Sequence, residues 1–347
     1  MRFEQALTYD DVLLTPRYSE IRTRREINIG NGLDNNIWLN IPVLSAPMDT
    51  VTEGEMAHAM ASHGGLGVVH RYNEIDEQAG IVSDLYSALK ELNPLTDPTI
   101  AAAIGVTGRF FTRAVALYEN GANILCIDVA HGHHVLVKEA IQRLKTELGK
   151  NIHIMAGNVA TLGAFNDLAD WGADSIRCNI GGGSICSTRI QTGHGRPGLQ
   201  TIFDCAKTDR DVKIIADGGV RTSGDIVKAL AAGADFVMLG SMLAGTEETP
   251  GTTYEDGKGN LFKKYRGMAS KDAQITWRGD YSSDEGVSTQ VPYKGPVGPI
   301  LQDMINGIRS GFSYSGARDI IELQTRAQFV LQTNAGLNES GAHILSR

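Results

Sequence analysis

The chain has little of what staples or anchors a protein. Its four cysteines, Cys126, Cys178, Cys186 and Cys205, show no CxxC spacing, and the histidine cluster His131, His133 and His134 has no paired cysteines beside it. Those absences exclude a disulfide framework and a zinc finger, and make a reducing cytoplasm the expected setting. No apolar run is long enough to span a bilayer, and Met1-Arg2-Phe3-Glu4-Gln5 lacks the apolar stretch of a signal peptide, so neither a membrane nor secretion is expected. Positive charge is also short: 32 Lys and Arg stand against 40 Asp and Glu, for a formal charge of −8. Without a basic stripe, nucleic acid is excluded as a general partner, and any phosphate bound must be small and locally recognised. Prolines number only 10 against 40 glycines, while 42% of the 347 residues are apolar. That suffices for the core of one large α/β barrel or of two ordinary domains.

What is present centres on Asn179-Ile180-Gly181-Gly182-Gly183-Ser184-Ile185-Cys186-Ser187-Thr188-Arg189. Consecutive glycines let the backbone approach an anion and turn its N–H groups inward, and Ser184 adds a hydroxyl donor. A cysteine just beyond, near backbone dipoles and Arg189, is where a reactive thiolate is expected. A free cysteine is as often a small buried apolar residue; the polar, glycine-rich setting favours a nucleophile.

Around this loop, apolar strand-like runs alternate with helical patterns. The runs begin at Ile41, Gly65, Ala101, Ile124, Ile152, Ser175, Lys213 and Phe236. Continuous apolar strands are buried on both faces, as in a closed parallel barrel. Eight of them predict a (β/α)8 TIM barrel rather than an open sheet. The single G-x-G-x-x-G, Gly193 to Gly198, follows a helix and contains Pro197, so it is not a dinucleotide fingerprint. Chemistry is then expected on the loops after the strands. Asp217-Gly218-Gly219 and Gly240-Ser241 follow the seventh and eighth runs, the usual phosphate corner of such barrels. Asp217 is placed to hold the vicinal hydroxyls of a ribose, although Asp before Gly-Gly is also ordinary turn chemistry. Residues 263–295, rich in turn residues, read as a mobile flap, and the polar tail Asn334–Ser340 reads as ordered by a neighbouring subunit.

The loop Gly-Gly-Ser-Ile-Cys-Ser-Thr-Arg resembles the signature of the IMP dehydrogenase/GMP reductase family, close to Gly-Pro-Gly-Ser-Ile/Val-Cys-Thr-Thr-Arg, with Gly182 in place of the proline and Ser187 in place of the first threonine. The resemblance continues in family order through Leu7–Pro16, Ser45–Glu53, His70-Arg71, Asp128–His133, Gly157–Val159, Ala216–Gly219, Gly240–Gly245 and Tyr265–Ser270. It implies one barrel catalytic domain over residues 1–347. Cys186 would attack C2 of a purine nucleoside monophosphate to form a thioimidate, with Thr188 and Glu285 relaying protons. Met48, Ser184, Asp217, Gly218, Gly219, Gly240, Ser241, Tyr265, Gly267, Met268, Ala269 and Gly286 would bind that nucleotide. Arg24, Arg71, Asp128, Val129, Ala130, Ile180 and Gly181 would meet a nicotinamide cofactor, NADPH or alternatively NAD. Gly181, Gly183, Cys186 and Arg189 would offer carbonyls to a potassium ion, and the family likeness also implies a homotetramer.

The two branches of the family differ in whether the thioimidate is hydrolysed. Dehydrogenases carry an adjacent Arg-Tyr pair in the flap to activate water. Here the short stretch between Ser270 and Glu285 holds Arg278 and Tyr281 separated by Gly279-Asp280. Between Asn73 and Pro98 there is no space for the regulatory CBS modules of many dehydrogenases. Thr192-Gly193 and Ser313–Gly316 are similar to reductases, whereas Ser45–Glu53, Gly245–Glu248, Tyr265–Met268 and Gly336–Ser340 are similar to dehydrogenases. Water activation is the step that separates the chemistries, so the flap decides for the reductase, with the dehydrogenase as the alternative. A non-catalytic nucleotide-binding barrel is the remote third reading; Cys186, Thr188 and Glu285 together speak against it.

Overall fold

The eight expected strands exist and close on themselves. The computed structural model describes residues 3–341; Met1, Arg2 and residues 342–347, the ends of the expected 1–347 unit, lie outside the described residues. The barrel strands are β1 (Val43–Ser45), β2 (Leu66–Val69), β3 (Ala101–Ile104), β4 (Ile124–Asp128), β5 (His153–Val159), β6 (Ser175–Cys178), β7 (Lys213–Asp217) and β8 (Phe236–Leu239). Each pairs in parallel with its neighbours in sequence, and β8 pairs with β1 to complete the ring.

Two cores account for the unbroken apolar strands. Side chains alternate along a strand, so Leu44, Leu66, Val68, Ala101, Ala103, Ile124, Cys126, Met155, Ile215, Phe236 and Met238 fill the barrel interior. Their neighbours Val43, Val69, Ala102, Leu125, Ile154, Ile176, Ile214 and Val237 face the helices. Those helices are α1 (Gly54–Ser62), α2 (Ile75–Leu92), α3 (Phe110–Glu119), α4 (Val135–Glu147), α5 (Leu162–Trp171), α6 (Thr188–Thr192), α7 (Gly198–Cys205) and α8 (Ser223–Ala231). Helix α2 occupies the interval between Asn73 and Pro98, so no inserted module stands there. Caps set several starts: the hydroxyls of Thr161 and Thr222 accept from Ala164 N and Asp225 N at the heads of α5 and α8, a contact whose loss costs about 1 kcal/mol.

The N-terminal mouth of the barrel is plugged by a hairpin, Asn31–Gly32 with Trp38–Leu39, whose Leu33, Ile37 and Leu39 join the interior core. The opposite mouth is left for the loops after the strands.

The flap differs from the turn-rich reading. It is a three-stranded antiparallel sheet, β9 (Tyr254–Glu255), β10 (Leu261–Arg266) and β11 (Ser288–Pro292), with helix α9 (Lys271–Arg278) between the last two strands. It therefore begins before residue 263. The ion pair of Arg266 with Asp49 ties it to the loop after β1, and Trp277 stacks on Tyr72 at 5.4 Å between ring centroids. Beyond it run α10 (Val297–Ser315) and α11 (Ile320–Arg326). Strand Phe329–Leu331 then pairs with Val12–Leu14, and the tail forms its own helix, α12 (Asn334–Ser340), capped by Thr333.

Candidate active site

The C-terminal rim of the barrel holds a cleft of about 420 Å³, a size suited to a small-molecule ligand. One wall is the phosphate corner expected from the glycines. Gly218 and Gly219 after β7, Gly240 and Ser241 after β8, and Ser184 of the cysteine loop all line it. Tyr265, brought in by β10, is buried and its hydroxyl lies 3.4 Å from Ser184 Oγ. Burial raises the Tyr265 pKa, with the charge of Asp217 adding to the rise and the Ser184 hydrogen bond opposing it. The phenol therefore stays a neutral donor, as an anion would require. A Cβ on Gly240 would stand 3.1 Å from both Met48 Sδ and Tyr265 Oη, so a larger residue would push those two converging groups apart.

The cysteine loop forms the floor. Of the four cysteines, Cys126, Cys178 and Cys205 are buried, and Cys186 alone is partly exposed. Its Sγ lies 3.2 Å from Thr188 Oγ1. The flap reaches it by backbone pairing rather than by side chains alone. Val287 N donates to Ile185 O at 2.9 Å, Ser187 N donates to Glu285 O at 3.1 Å, and Cys186 faces Gly286 across this short ladder. Glu285 is thereby held beside the cysteine, its residue lining the cleft with Gln274, Ser282 and Ser283 of the flap. Ser187, the departure from the family threonine, donates its hydroxyl to Asp284 O at 3.1 Å.

A buried ion network that the sequence reading missed lies under both walls. Arg177, at the end of β6, donates from Nη1 to Asp128 Oδ1 at 2.7 Å and from Nε to Asp217 Oδ2 at 2.9 Å. Asn158 Nδ2 also donates to Asp217 Oδ2, at 2.8 Å. Burial works against the Arg177 charge, but the carboxylates of Asp217 and Asp128 outweigh it and its pKa is raised. The only advance signal was an arginine inside the otherwise apolar run Ser175-Ile176-Arg177-Cys178. Asn158, Asn179 and Tyr72 also line the cleft without having been singled out as site residues.

On the cofactor side, Arg71, Asp128, Val129, Ala130, Ile180 and Gly181 all line the cleft. Arg71 Nη2 donates to Asp128 O at 3.1 Å, while its buried Nε makes no hydrogen bond and stands 3.9 Å from Asp128 Oδ2, its ion-pair partner. A buried donor without a hydrogen bond beside the cleft fits a group bearing hydroxyls or phosphate. Three expected residues stand elsewhere. Arg24 lies in a short turn against α10 and lines a separate cavity with Arg25, Gln302, Asn306 and Arg309; its N-terminal segment does not reach the rim. Gly286 is buried in the flap ladder rather than lining the cleft. Arg189 turns its guanidinium away to the carbonyls of Ile180 and Arg196. Of the four carbonyls implied for a monovalent cation, that of Gly183 accepts from Cys186 N and that of Arg189 from Gly193 N, each at 3.1 Å. The loop's own amides thus already engage half of that set.

A closed eight-stranded parallel barrel, with its polar loops, phosphate corner and one accessible cysteine gathered at the C-terminal rim, is the architecture of a barrel enzyme acting on a small phosphorylated ligand. The sequence profile of the IMP dehydrogenase / GMP reductase domain matches residues 6–343. Over 474 aligned positions the chain is 34% identical to an inosine-5'-monophosphate dehydrogenase of Nitrosopumilus maritimus (strain SCM1), with 99% of each chain covered. It is likewise 34% identical over 482 positions to a GMP reductase of Leishmania donovani, covering 99% of this chain and 98% of the other. A crystal structure of GMP reductase from Trypanosoma brucei in complex with guanosine 5'-monophosphate superposes with a TM-score of 0.92 at 32% identity, covering 98% of both chains. The chain belongs to the IMP dehydrogenase / GMP reductase family of purine nucleotide oxidoreductases. No helix among the described residues is long and apolar enough to cross a membrane.

Proposed function

We propose that this chain is a GMP reductase, converting GMP to IMP and ammonia with NADPH as reductant. The observation that carries the reading is the flap. Its only arginine beyond Arg266, Arg278, is spent inside the flap on Gln274, the Asp280 carbonyl and Ser282, and it is not among the residues lining the cleft. Tyr281 is exposed, with Lys271 Nζ 4.5 Å from its ring centroid. Neither supplies the basic group beside the sulfur that hydrolysis of a thioimidate would need.

In this reading the phosphate corner and Tyr265 hold the nucleotide and Asp217 faces its ribose. The Cys186 thiolate adds to C2, and the exocyclic amine leaves as ammonia. Thr188, whose hydroxyl is 3.2 Å from the sulfur, and Glu285, which lines the same cleft, would carry the protons between sulfur, leaving amine and solvent. Asp128, Val129 and Ala130 would hold NADPH, which would supply the hydride that returns C2 to a C–H carbon as the C–S bond breaks. Arg71, whose Nε makes no hydrogen bond, would meet the phosphorylated end of that cofactor. A homotetramer and a cytoplasmic setting accompany the reading by family likeness.

Dehydrogenation of IMP is the second reading. The equal identity to a dehydrogenase and a reductase leaves it open, and the Asp49–Arg266 pair, which joins two of the dehydrogenase-like segments, favours it. The reduced-nicotinamide absorbance decides between them. Consumption with GMP and NADPH, with ammonia released, is the expected result. Production with IMP and NAD alone would overturn the reductase and direct attention to Arg278. Cys186→Ala should abolish both turnover and iodoacetamide labelling; turnover that survives it would remove the covalent mechanism.

A further inference from the structure

The cysteine loop departs from its family pattern at Gly182, and the structure pairs that departure with Asn179. Asn179 follows β6 and is the one non-glycine with positive φ, 147°, among the described residues. Side chains rarely adopt such a backbone, and it persists only where the surroundings hold it. Two neighbouring strand ends, those of β5 and β7, do so here. Asn179 N donates to Val159 O at 2.9 Å, and Asn179 O accepts from Asn158 Nδ2 at 3.1 Å. The side chain is buried, and Nδ2 donates to Asp217 O at 2.9 Å and Gly218 O at 3.2 Å. Its Oδ1 is buried without a partner.

The carboxamide also fills the space beneath the loop. A Cβ on Gly182 would lie 2.2 Å from Asn179 Nδ2 and 2.6 Å from Oδ1, a distance no side chain tolerates. Position 182 is therefore glycine because position 179 is asparagine. Gly182 itself has no left-handed φ that would demand glycine for its own sake. Its carbonyl in turn packs against Gly219, where a Cβ would stand 3.0 Å away. The amide is a strut between the crest of the cysteine loop and the turn that carries Asp217, Gly218 and Gly219.

We infer that Asn179 is a positioning residue that sets the distance between the Cys186 sulfur and the phosphate corner, a hydrogen-bonded strut replacing the ring that the family pattern carries at position 182. Its amide donates to the carbonyls of Asp217 and Gly218 and makes no hydrogen bond to Cys186. The inference rests on Cys186 being the nucleophile and is independent of the direction of the reaction. If the strut is lost, sulfur and phosphate corner no longer hold one separation, and a nucleotide fixed at its phosphate presents C2 off line.

The test is a double-mutant cycle on the full-length protein. It uses Asn179→Gly, Gly182→Pro and the two together, with Asn179→Asp as a near-isosteric variant that replaces the amide donor by a carboxylate facing the Asp217 and Gly218 carbonyls. Readouts are kcat and KM for the nucleotide that wild type turns over, protection of Cys186 from iodoacetamide by that nucleotide, and a thermal melt. Asn179→Asp and Asn179→Gly are expected to weaken nucleotide protection about tenfold or more while the unprotected labelling rate stays near wild type. Gly182→Pro alone should be nearly inactive, because the ring meets the amide. The double variant should recover activity above both singles, a coupling that independent sites do not show. Additive losses, or an Asn179→Asp variant with wild-type KM and protection, overturn the inference. Should Asn179→Gly fail to fold, Asn179→Asp and the double variant still decide. Absence of labelling at Cys186 in wild type would instead overturn the nucleophile reading.

Discussion

Arg177 shows how much of a polar site rests on one residue. Its guanidinium is sandwiched between Asp128 on the cofactor side and Asp217 on the nucleotide side, with its side chain only 7% exposed. Asp217 is the carboxylate the sequence offered as a ribose ligand and Asp128 the one the family likeness set against the cofactor, and each shares an oxygen with the arginine rather than standing free. Removing the cation would leave two buried carboxylates facing each other. Arg177→Met should therefore cost about 3–5 kcal/mol of stability, and the surviving folded enzyme should show raised KM for nucleotide and cofactor together. Denaturant midpoints and a two-substrate kinetic analysis would check this; an effect on one KM alone would mean the two halves of the cleft are not linked through Arg177. Asp217 was legible because glycines follow it, and Cys186 because glycines precede it. Arg177 was not, since the partners that justify a buried arginine lie 49 and 40 residues away in the chain, and only the closed ring brings them together.

At the scale of the element, the flap repeats that lesson. Its strands are short, one of them the two residues Tyr254–Glu255, too brief for alternation to register, so the segment read as turns. What orders it is two contacts with distant parts of the chain, the Tyr72–Trp277 stack and the Arg266–Asp49 pair, and one cluster inside the flap, where Asp272 accepts from Lys264 at 2.6 Å and Arg266 at 2.8 Å. The hydrogen bonds from Lys264 and Arg266 hold the Asp272 carboxyl down at about 2, burial opposing them. A depressed carboxyl pKa contributes stability that is complete above the ordinary carboxylate value and is lost as pH falls toward the depressed one. Resistance of the flap to limited proteolysis should thus be level from neutral pH to about pH 4 and decline between about 4 and 2. Asp272→Asn should lower the resistance at neutral pH and flatten that decline. A wild-type flap that loosens already near pH 6 would show that some other group governs its docking. The flap's catalytic content, by contrast, was legible in part. Glu285 before Gly286 was found from its motif, and the backbone ladder to Ile185 and Ser187 supplies the reason it sits beside the sulfur.

Across the whole molecule, the two mouths of the barrel divide the labour. Eight apolar runs disclosed the ring because strands covered on both faces have no polar side to show. The plug at the other mouth left no such trace. There His153 lies between Asp34 and Ser175, with Nδ1 2.7 Å from Asp34 Oδ2 and Nε2 2.8 Å from Ser175 Oγ. The order matches that of a hydrolase triad, but Ser175 and His153 are 0% and 1% exposed, so no substrate can meet the hydroxyl. The group is better understood as a latch, fastening the hairpin that carries Asp34 to β5 and β6. Burial pushes the Asp34 carboxyl up, yet hydrogen bonds from His153 and the amides of Asn36 and Ile37, with the His153 charge, hold it below its ordinary value. In such barrels the N-terminal face serves stability and the C-terminal face serves chemistry. His153→Leu should then lower the free energy of unfolding by about 1–3 kcal/mol, the cost of stranding buried partners, with nucleotide KM and kcat unchanged at a temperature where the variant is folded. Equal losses in stability and in KM would mean instead that the plug transmits strain through the interior core to the rim, where Cys126 lies 3.5 Å from Arg177 Nη1 and the interior meets the catalytic network.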